Sequence, residues 1–345
     1  MNSSLPADWS VSVVIPTRNR PGSLNRLLAS LSRQTVAPLE TIVIDASDPP
    51  AGQKTVPGGF PSLHLRLVSA PPSVCRQRNL GIAAASGRFI LLADDDIEFR
   101  QDYIEVLLMY ASSHPEQGAF SGILNEAGEA GITIPDRRPV SPVSLIWSFI
   151  FQSSVWGDIG AVNGPAPLRG ILRTIRGFYF RRGNTFSLSG LPLVTDTRGD
   201  VYHTAVYGLG GALIRRDWLL AAAYDERLEQ HGTGDHYGVA IQFPGPAPIT
   251  VLATIAYVHH RETVNRLSRA DQYRWRTLAL DYFMRRSWRF ASGNRLLLRW
   301  SVLGNTLYFV LRGSPRMAAE SLTTFLRLCS GRNPYNIDRS APPRR

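Results

Sequence analysis

The chain has 345 residues, 44% of them hydrophobic and 19% charged, with two cysteines. These proportions exclude a disordered chain, a collagen and a small disulfide scaffold, and Cys75 and Cys329 lack metal-ligand spacing, which fits a reducing compartment. The net charge of +11 is uneven: residues 261–345 hold 17 Arg against 5 acidic residues, whereas residues 1–260 hold 21 basic against 22 acidic.

The first 125 residues alternate strand and helix signals. Val11–Ile15 reads as a short buried strand closed by Pro16. Pro21 opens a helix whose Leu24, Leu27, Leu28 and Leu31 recur at helical spacing. Strands follow at Thr41–Ile44, which runs into Asp45, and at Leu63–Val68. Ser73 caps a helix that runs to Ala85 and stops at Ser86-Gly87. Phe89–Leu92 is a strand that delivers Asp94-Asp95-Asp96, Tyr103–Tyr110 is helical, and Ala119–Leu124 is a further strand. Such alternation predicts a mostly parallel sheet with helices on both faces.

Residues 126–200 carry no such rhythm. They are rich in Gly and Pro, with an apolar run at Leu145–Phe151 and arginines at 169, 173, 176, 181 and 182. Strand character returns between Val201 and Ile214, a short helix follows at Asp217–Ala223, and Ile249–Val258 is a strand ending in His259-His260. From Ser268 the chain reads as helices separated by Gly293 and by Gly313–Pro315. Met1–Ser10 is polar and unlike a secretory leader, and no run reaches the roughly 18–20 apolar residues of a membrane span. This describes a cytoplasmic protein. The segment Asn294–Arg312 reads as an imperfect amphipathic helix edged by arginine. Either it packs on the domain, or residues 290–330 meet an anionic membrane surface on the cytoplasmic face. No nucleic-acid module accompanies the basic tail.

Ligands of open α/β sheets bind at the carboxyl ends of strands. Those ends carry Thr17 to Asn19, Asp45, and Asp94 to Asp96. Three adjacent carboxylates repel one another unless compensated. Either a divalent cation such as Mg²⁺ or Mn²⁺ joins them, or they form a solvated turn in which Asp96 caps the next helix.

The ordered set of segments Val11-Ser12-Val13-Val14-Ile15-Pro16-Thr17-Arg18-Asn19-Arg20, Ile42-Val43-Ile44-Asp45, Arg78-Asn79-Leu80-Gly81, Leu91-Leu92-Ala93-Asp94-Asp95-Asp96, Gly210-Gly211-Ala212-Leu213-Ile214 and Tyr224-Asp225-Glu226-Arg227 resembles the family 2 nucleotide-sugar glycosyltransferases. The resemblance covers residues 10–125 and 205–260. It implies a single glycosyltransferase A-type α/β domain with a C-terminal helical extension. A nucleotide-sugar-binding half would occupy residues 1–125, an acceptor-binding half residues 126–265, and a basic helical extension residues 266–345.

It also implies metal-dependent, inverting transfer to a hydroxyl of a lipid-linked or polysaccharide acceptor. Asp94 and Asp96 match the Asp-x-Asp metal motif for Mn²⁺ or Mg²⁺, with His259 completing the set. Pro16, Thr17, Arg18, Asn19, Asp45, Arg78, Asp94 and Asp95 match donor-binding positions, and Gly210 and Gly211 match the acceptor side. Two departures stand out. Ala46 follows Asp45 where a second acidic residue is common, and the usual Glu-Asp base motif reads Asp235-His236. Either Asp235 or His236 would take the acceptor proton, or Asp235 would merely cap a helix at Tyr237–Phe243. The altered base motif also suits a non-catalytic relative that binds nucleotide sugar or glycan.

Overall fold

The computed structural model describes residues 9–50, 59–128, 131–228, 232–262, 264 and 266–336. Its first half follows the alternation of the sequence: β1 (Val11–Thr17), α1 (Pro21–Leu31), β2 (Glu40–Asp45), β3 (Leu65–Ser69), α2 (Val74–Ala84), β4 (Phe89–Leu92), β5 (Ile97–Phe99), α3 (Tyr103–Ser113) and β6 (Ala119–Gly128). Then come β7 (Gly131–Thr133), α4 (Pro142–Phe151), β8 (Val155–Trp156), α5 (Arg169–Arg182) and β9 (Leu193–Val194). The second half holds β10 (Val201–Thr204), β11 (Ala212–Arg215), α6 (Arg216–Ala221), α7 (Asp235–Ala240), β12 (Ile249–His259), α8 (Arg269–Arg286), α9 (Ser292–Leu311) and α10 (Pro315–Cys329).

The main sheet runs β10-β12-β6-β11-β4-β1-β2-β3, with β5 on β12 and β7 on β6. β4, β1, β2 and β3 are mutually parallel, and so are β12 and β6. β11 lies antiparallel between β4 and β6. This inserted strand carries the sheet into its second half, so both halves share one set of strand ends.

Strand alternation sorts side chains to the two faces. Val11, Val13 and Ile15 of β1 meet the buried leucines of α1 and the buried face of α3. Val14, with Ile42 and Ile44 of β2, joins a larger core built from α2, α7 and α8. Glu40 locks one edge from within. Its carboxylate accepts from Ser12 Oγ at 2.8 Å, Ser86 Oγ at 2.5 Å, the Ser86 amide at 2.8 Å and Arg66 Nη1 at 2.6 Å. Burial alone would raise the Glu40 pKa, but Ser86, Arg66 and Ser12 together hold it at about 2.

The segment expected to lack rhythm contains two helices, α4 and α5, around a small core of its own that includes Leu145, Leu172, Ile175 and Tyr179. Strand and helix signals were hidden there because all ten residues of α4 are apolar, Ser or Pro, which leaves no polar face to give a period. Cys75 and Cys329 are both free thiols. Among the described residues, no helix is long and apolar enough to cross a membrane.

Candidate active site

The carboxyl ends of β1 and β4 open on a cavity of about 570 Å³. Its floor is Pro16 to Arg18, Arg78 and Asp94 to Asp96. Its far wall is Asp235 to Tyr237, His259 and Arg266, and Arg276 and Leu280 come from α8. Trp156, Leu191, Pro192 and Tyr207 add an apolar side.

Backbone and side-chain clamps set these positions. Gln77 is buried on α2, and its Nε2 donates to Thr17 O at 3.0 Å and Ile44 O at 2.7 Å, which ties the ends of β1 and β2 to that helix. The next residue, Arg78, faces the cavity. Asn79 exchanges hydrogen bonds of 2.9 Å with the backbone of Tyr224, so the segment Tyr224–Arg227 is fixed to α2. Asn79 thereby serves a structural role.

The three consecutive aspartates meet three different environments. Asp94 accepts from Arg78 Nη2 at 2.6 Å. Asp95 accepts from Thr17 Oγ1 at 2.8 Å and Arg20 Nη1 at 2.9 Å. Asp96 lies 3.2 Å from His259 Nε2 and 2.7 Å from Arg266 Nη2, and its Oδ2 also accepts the Glu262 amide at 3.3 Å. Burial alone would raise all three carboxyls. Arg78 overrides it and holds Asp94 below its ordinary range, and His259 and Arg266 hold Asp96 well below. At Asp95 burial wins over Arg20, and the carboxyl is pushed up to about 6. The repulsion anticipated from three adjacent carboxylates is thus offset by arginine and imidazole. Asp96 caps no helix, since β5 begins at the next residue.

Arg78 also bonds Asp235, so one buried guanidinium joins the β4 end to the opposite wall. Burial alone would lower its pKa, but the Asp235 and Asp94 carboxylates raise it. The Tyr224 ring lies 5.1 Å from its Cζ.

The turn Gly232-Thr233-Gly234 presents Asp235. Gly232 has φ +56°, and a Cβ there would meet Val74 Cγ1 at 2.3 Å. Only glycine fits both the left-handed backbone and the close approach. The helix starts at Asp235 with Gly234 at its cap position, and no side chain caps it. Asp235 Oδ1 instead accepts from the adjacent His236 amide at 2.7 Å. The helix–cap alternative therefore does not describe this residue.

His236 is placed differently. The Leu209 amide donates to its Nδ1 at 3.2 Å, which puts the ring proton on Nε2. Among the described residues that Nε2 has no hydrogen-bond partner; it is buried, in a residue that lines the cavity. Burial lowers the His236 pKa, so the ring stays neutral.

The structure brings Pro16, Thr17, Arg18, Arg78, Asp94, Asp95, Asp96, Asp235, His236 and His259 to one cavity. Asn19 and Asp45 lie at the same sheet end but serve the loops. The Asp48 amide donates to Asn19 Oδ1 and the Ser47 amide to Asp45 Oδ1, both at 2.9 Å. Gly210 and Gly211 make room for neighbours. A Cβ on Gly210 would meet Asp94 Oδ2 at 2.2 Å, and one on Gly211 the Tyr257 ring at 2.7 Å.

Sequence reasoning missed Arg20, Gln77, Arg266 and Arg276. Arg20 reaches Asp95 and also donates through Nε to Val264 O at 3.1 Å. Arg26 bonds Glu262 at 2.7 Å. The stretch after β12 is thus latched to α1, which delivers Arg266. No local pattern announces that contact.

The donor types suit a hard divalent cation in part. Arg266 Nη2 stands 2.7 Å from Asp96 Oδ2 and 3.0 Å from His259 Nε2. Asp94 is turned to Arg78. Among the described residues, no group of three acidic, histidine or cysteine side chains is close enough to hold a metal ion. The oxygen and nitrogen donors are of the right kind, and arginine supplies the positive charge at both places.

The sheet order and the cavity at its strand ends define a glycosyltransferase A-type fold. Solved structures agree. TarS residues 1–349 of S. aureus is matched with a TM-score of 0.53 at 13% identity, over 94% of this chain and 82% of that one. GalNAc-T7 with UDP, GalNAc and Mn2+ is matched with a TM-score of 0.53 at 13% identity, over 81% of this chain and 51% of that one. The complex of TarS 1–349 with UDP-GlcNAc is matched with a TM-score of 0.52 at 13% identity, over 92% of this chain and 81% of that one. Residues 12–178 match the model of Glycosyl transferase family 2. A Bacillus subtilis (strain 168) relative, described as the uncharacterized glycosyltransferase YwdF, is 37% identical over 99 residues. That match spans 28% of this chain and about a third, 35%, of the relative.

Proposed function

We propose that this protein transfers a sugar, with inversion, from a nucleotide-sugar donor to a hydroxyl of a lipid-linked or polysaccharide acceptor. The observation that carries the reading is Arg78, which holds the strand-end carboxylate Asp94 and the opposite-wall carboxylate Asp235 across one cavity. A sugar seated between them would have its leaving group on one side and a proton acceptor on the other.

In this reading the donor diphosphate lies at the strand ends, near Thr17, Arg18 and Arg78. Asp94, Asp96 and His259 would hold a Mg²⁺ or Mn²⁺ ion, which offsets the charge that grows on the departing diphosphate. Asp235 is the general base. Its carboxylate takes the acceptor hydroxyl proton as the oxygen bonds the anomeric carbon and the bond from that carbon to the diphosphate breaks. His236 is unsuited to that task, because Nδ1 already accepts from Leu209 and Nε2 carries the proton. It is suited to donate from Nε2 to a sugar or acceptor oxygen. Trp156, Leu191, Pro192 and Tyr207 give the acceptor an apolar wall.

Nucleoside diphosphate release, followed with a panel of nucleotide sugars with and without Mn²⁺, tests the reading. Metal-dependent release that Asp235→Asn removes while donor binding persists is the expected result. Donor binding without turnover for every acceptor tried favours the non-catalytic relative, and no nucleotide binding at all overturns the proposal.

A further inference from the structure

Away from the cavity, α9 is buried on one side and apolar on both. Leu298, Ser301 and Val302 face the core. Leu296, Trp300, Leu303, Leu307, Val310 and Leu311 recur on the opposite side, each between 38% and 69% exposed. At 100° per residue these six fall within a stripe about 100° wide along a helix about 30 Å long. An apolar stripe normally faces a core. This one faces away from it.

α4 extends the same surface. Phe151 stacks on Trp300 with ring centroids 5.0 Å apart, and Trp300 Nε1 donates to Ile150 O at 2.8 Å. A Cβ on Gly304 would meet Phe151 Cγ at 2.2 Å, so the aromatic ring rests directly on the α9 backbone. Held this way, α4 buries only Leu145 and exposes Val143 and Ile150. The result is a continuous two-helix face, fixed in shape by aromatic packing.

Charge decides what covers it. No acidic residue occurs between Asp281 and Glu320, and the interval holds seven arginines. Arg295 and Arg299 lie on the flank of the stripe, and Arg312 and Arg316 are exposed just beyond its end. Trp288 is 87% exposed beside Arg289. A second copy of this face would set arginine against arginine with no acidic partner. An anionic bilayer surface accepts the leucines and aromatics among its acyl chains and the arginines among its head groups.

We propose that the α4–α9 face docks this protein on the surface of a bilayer containing anionic lipid. No described helix is built to cross it, so the attachment is peripheral. α4 leads within five residues to Trp156 on the apolar side of the cavity. A docked face therefore adjoins the wall assigned above to the acceptor, although the docking argument does not depend on that assignment.

The test is co-sedimentation of the full chain with phosphatidylcholine vesicles, with and without phosphatidylglycerol. Capture by the anionic vesicles, weakened by added salt, is expected. Leu303→Ser with Leu307→Ser should lower the partition coefficient by about tenfold or more. Arg312→Gln with Arg316→Gln should lower it by about fivefold per charge. Circular dichroism melts check that both variants stay folded, and all four residues lie on the exposed surface. Failure of the wild type to bind anionic vesicles overturns the proposal, and so does undiminished binding by the folded leucine variant. A concentration-dependent dimer that this variant dissolves, with no vesicle capture, assigns the face to a second copy and equally overturns it.

Discussion

The sheet end and the α4–α9 face invert the usual rule of burial in opposite senses. At the sheet end, Asp95, Asp96, Arg78 and Gln77 are buried polar groups, and each is matched by a partner from another element. On the helical face, large apolar side chains such as Leu296, Leu303 and Leu307 are exposed. Buried charge needs fixed geometry, because an unpaired ion in low dielectric is costly. Exposed apolar surface needs only a stiff backing. The first region is therefore sensitive to single atoms and the second to summed area, and variants can break or sharpen that contrast.

The largest effect is expected at Arg78. Arg78→Met leaves Asp94 and Asp235 facing each other without their shared cation. Loss of about 3–5 kcal/mol in denaturant unfolding is expected. Adding Asp94→Asn to that variant should recover part of the loss, since the two sites are coupled. Simple additivity of the two changes would break the pairing argument. Next comes Asp235→Asn, for which turnover should fall by roughly 10²-fold or more at unchanged donor affinity. An active Asp235→Asn beside a dead His236→Ala would hand the proton to His236.

Glu40 gives a smaller effect with a definite sign. Its carboxyl is held at about 2 against an ordinary 4.5. The native state therefore binds fewer protons than the unfolded chain between those values, and stability is lost as pH falls from about 4.5 towards about 2. Glu40→Gln should remove this component of the acid slope and cost about 1–3 kcal/mol at neutral pH. A variant with the wild-type acid slope would detach that slope from Glu40. The smallest effect belongs to the helical face. Leu303→Ser with Leu307→Ser should change unfolding free energy by only about 0.5 kcal/mol per site, the usual range for exposed positions. A severe loss would mean these leucines pack within the fold, which would dissolve the contrast between the regions.

How far the sequence could be read follows the same division. The alternation over β1 to β6 was legible because buried parallel strands and amphipathic helices each carry their own period. Val11 to Ile15 and Leu24 to Leu31 show it, and they pack on one another as that period requires. Asp94, Asp95 and Asp96 were legible because they end a buried strand. Their partners were not. Arg266 reaches Asp96 from the irregular stretch after β12, and that stretch is held by Arg20 and Arg26, contacts set by tertiary structure alone. Asp45 and Asn19 sit at the right sheet end, yet the hydrogen bonds seen for them brace turns. Gly210 matters as the space Asp94 fills. α4 was hidden for the reason that makes it interesting, since a helix without a polar face has no pattern to display.

The bond from Arg78 to both Asp94 and Asp235 has a consequence for the order of events. Two anions that divide one cation are reciprocally linked. A ligand that draws Asp94 away leaves the whole guanidinium to Asp235. A proton arriving on Asp235 frees the guanidinium for whatever negative charge lies on the other side. Bond breaking at one wall and proton uptake at the other would thus communicate through a single side chain. In the proposed reaction, the late build-up of charge on a leaving group and the neutralisation of a base would favour each other without any movement of the backbone.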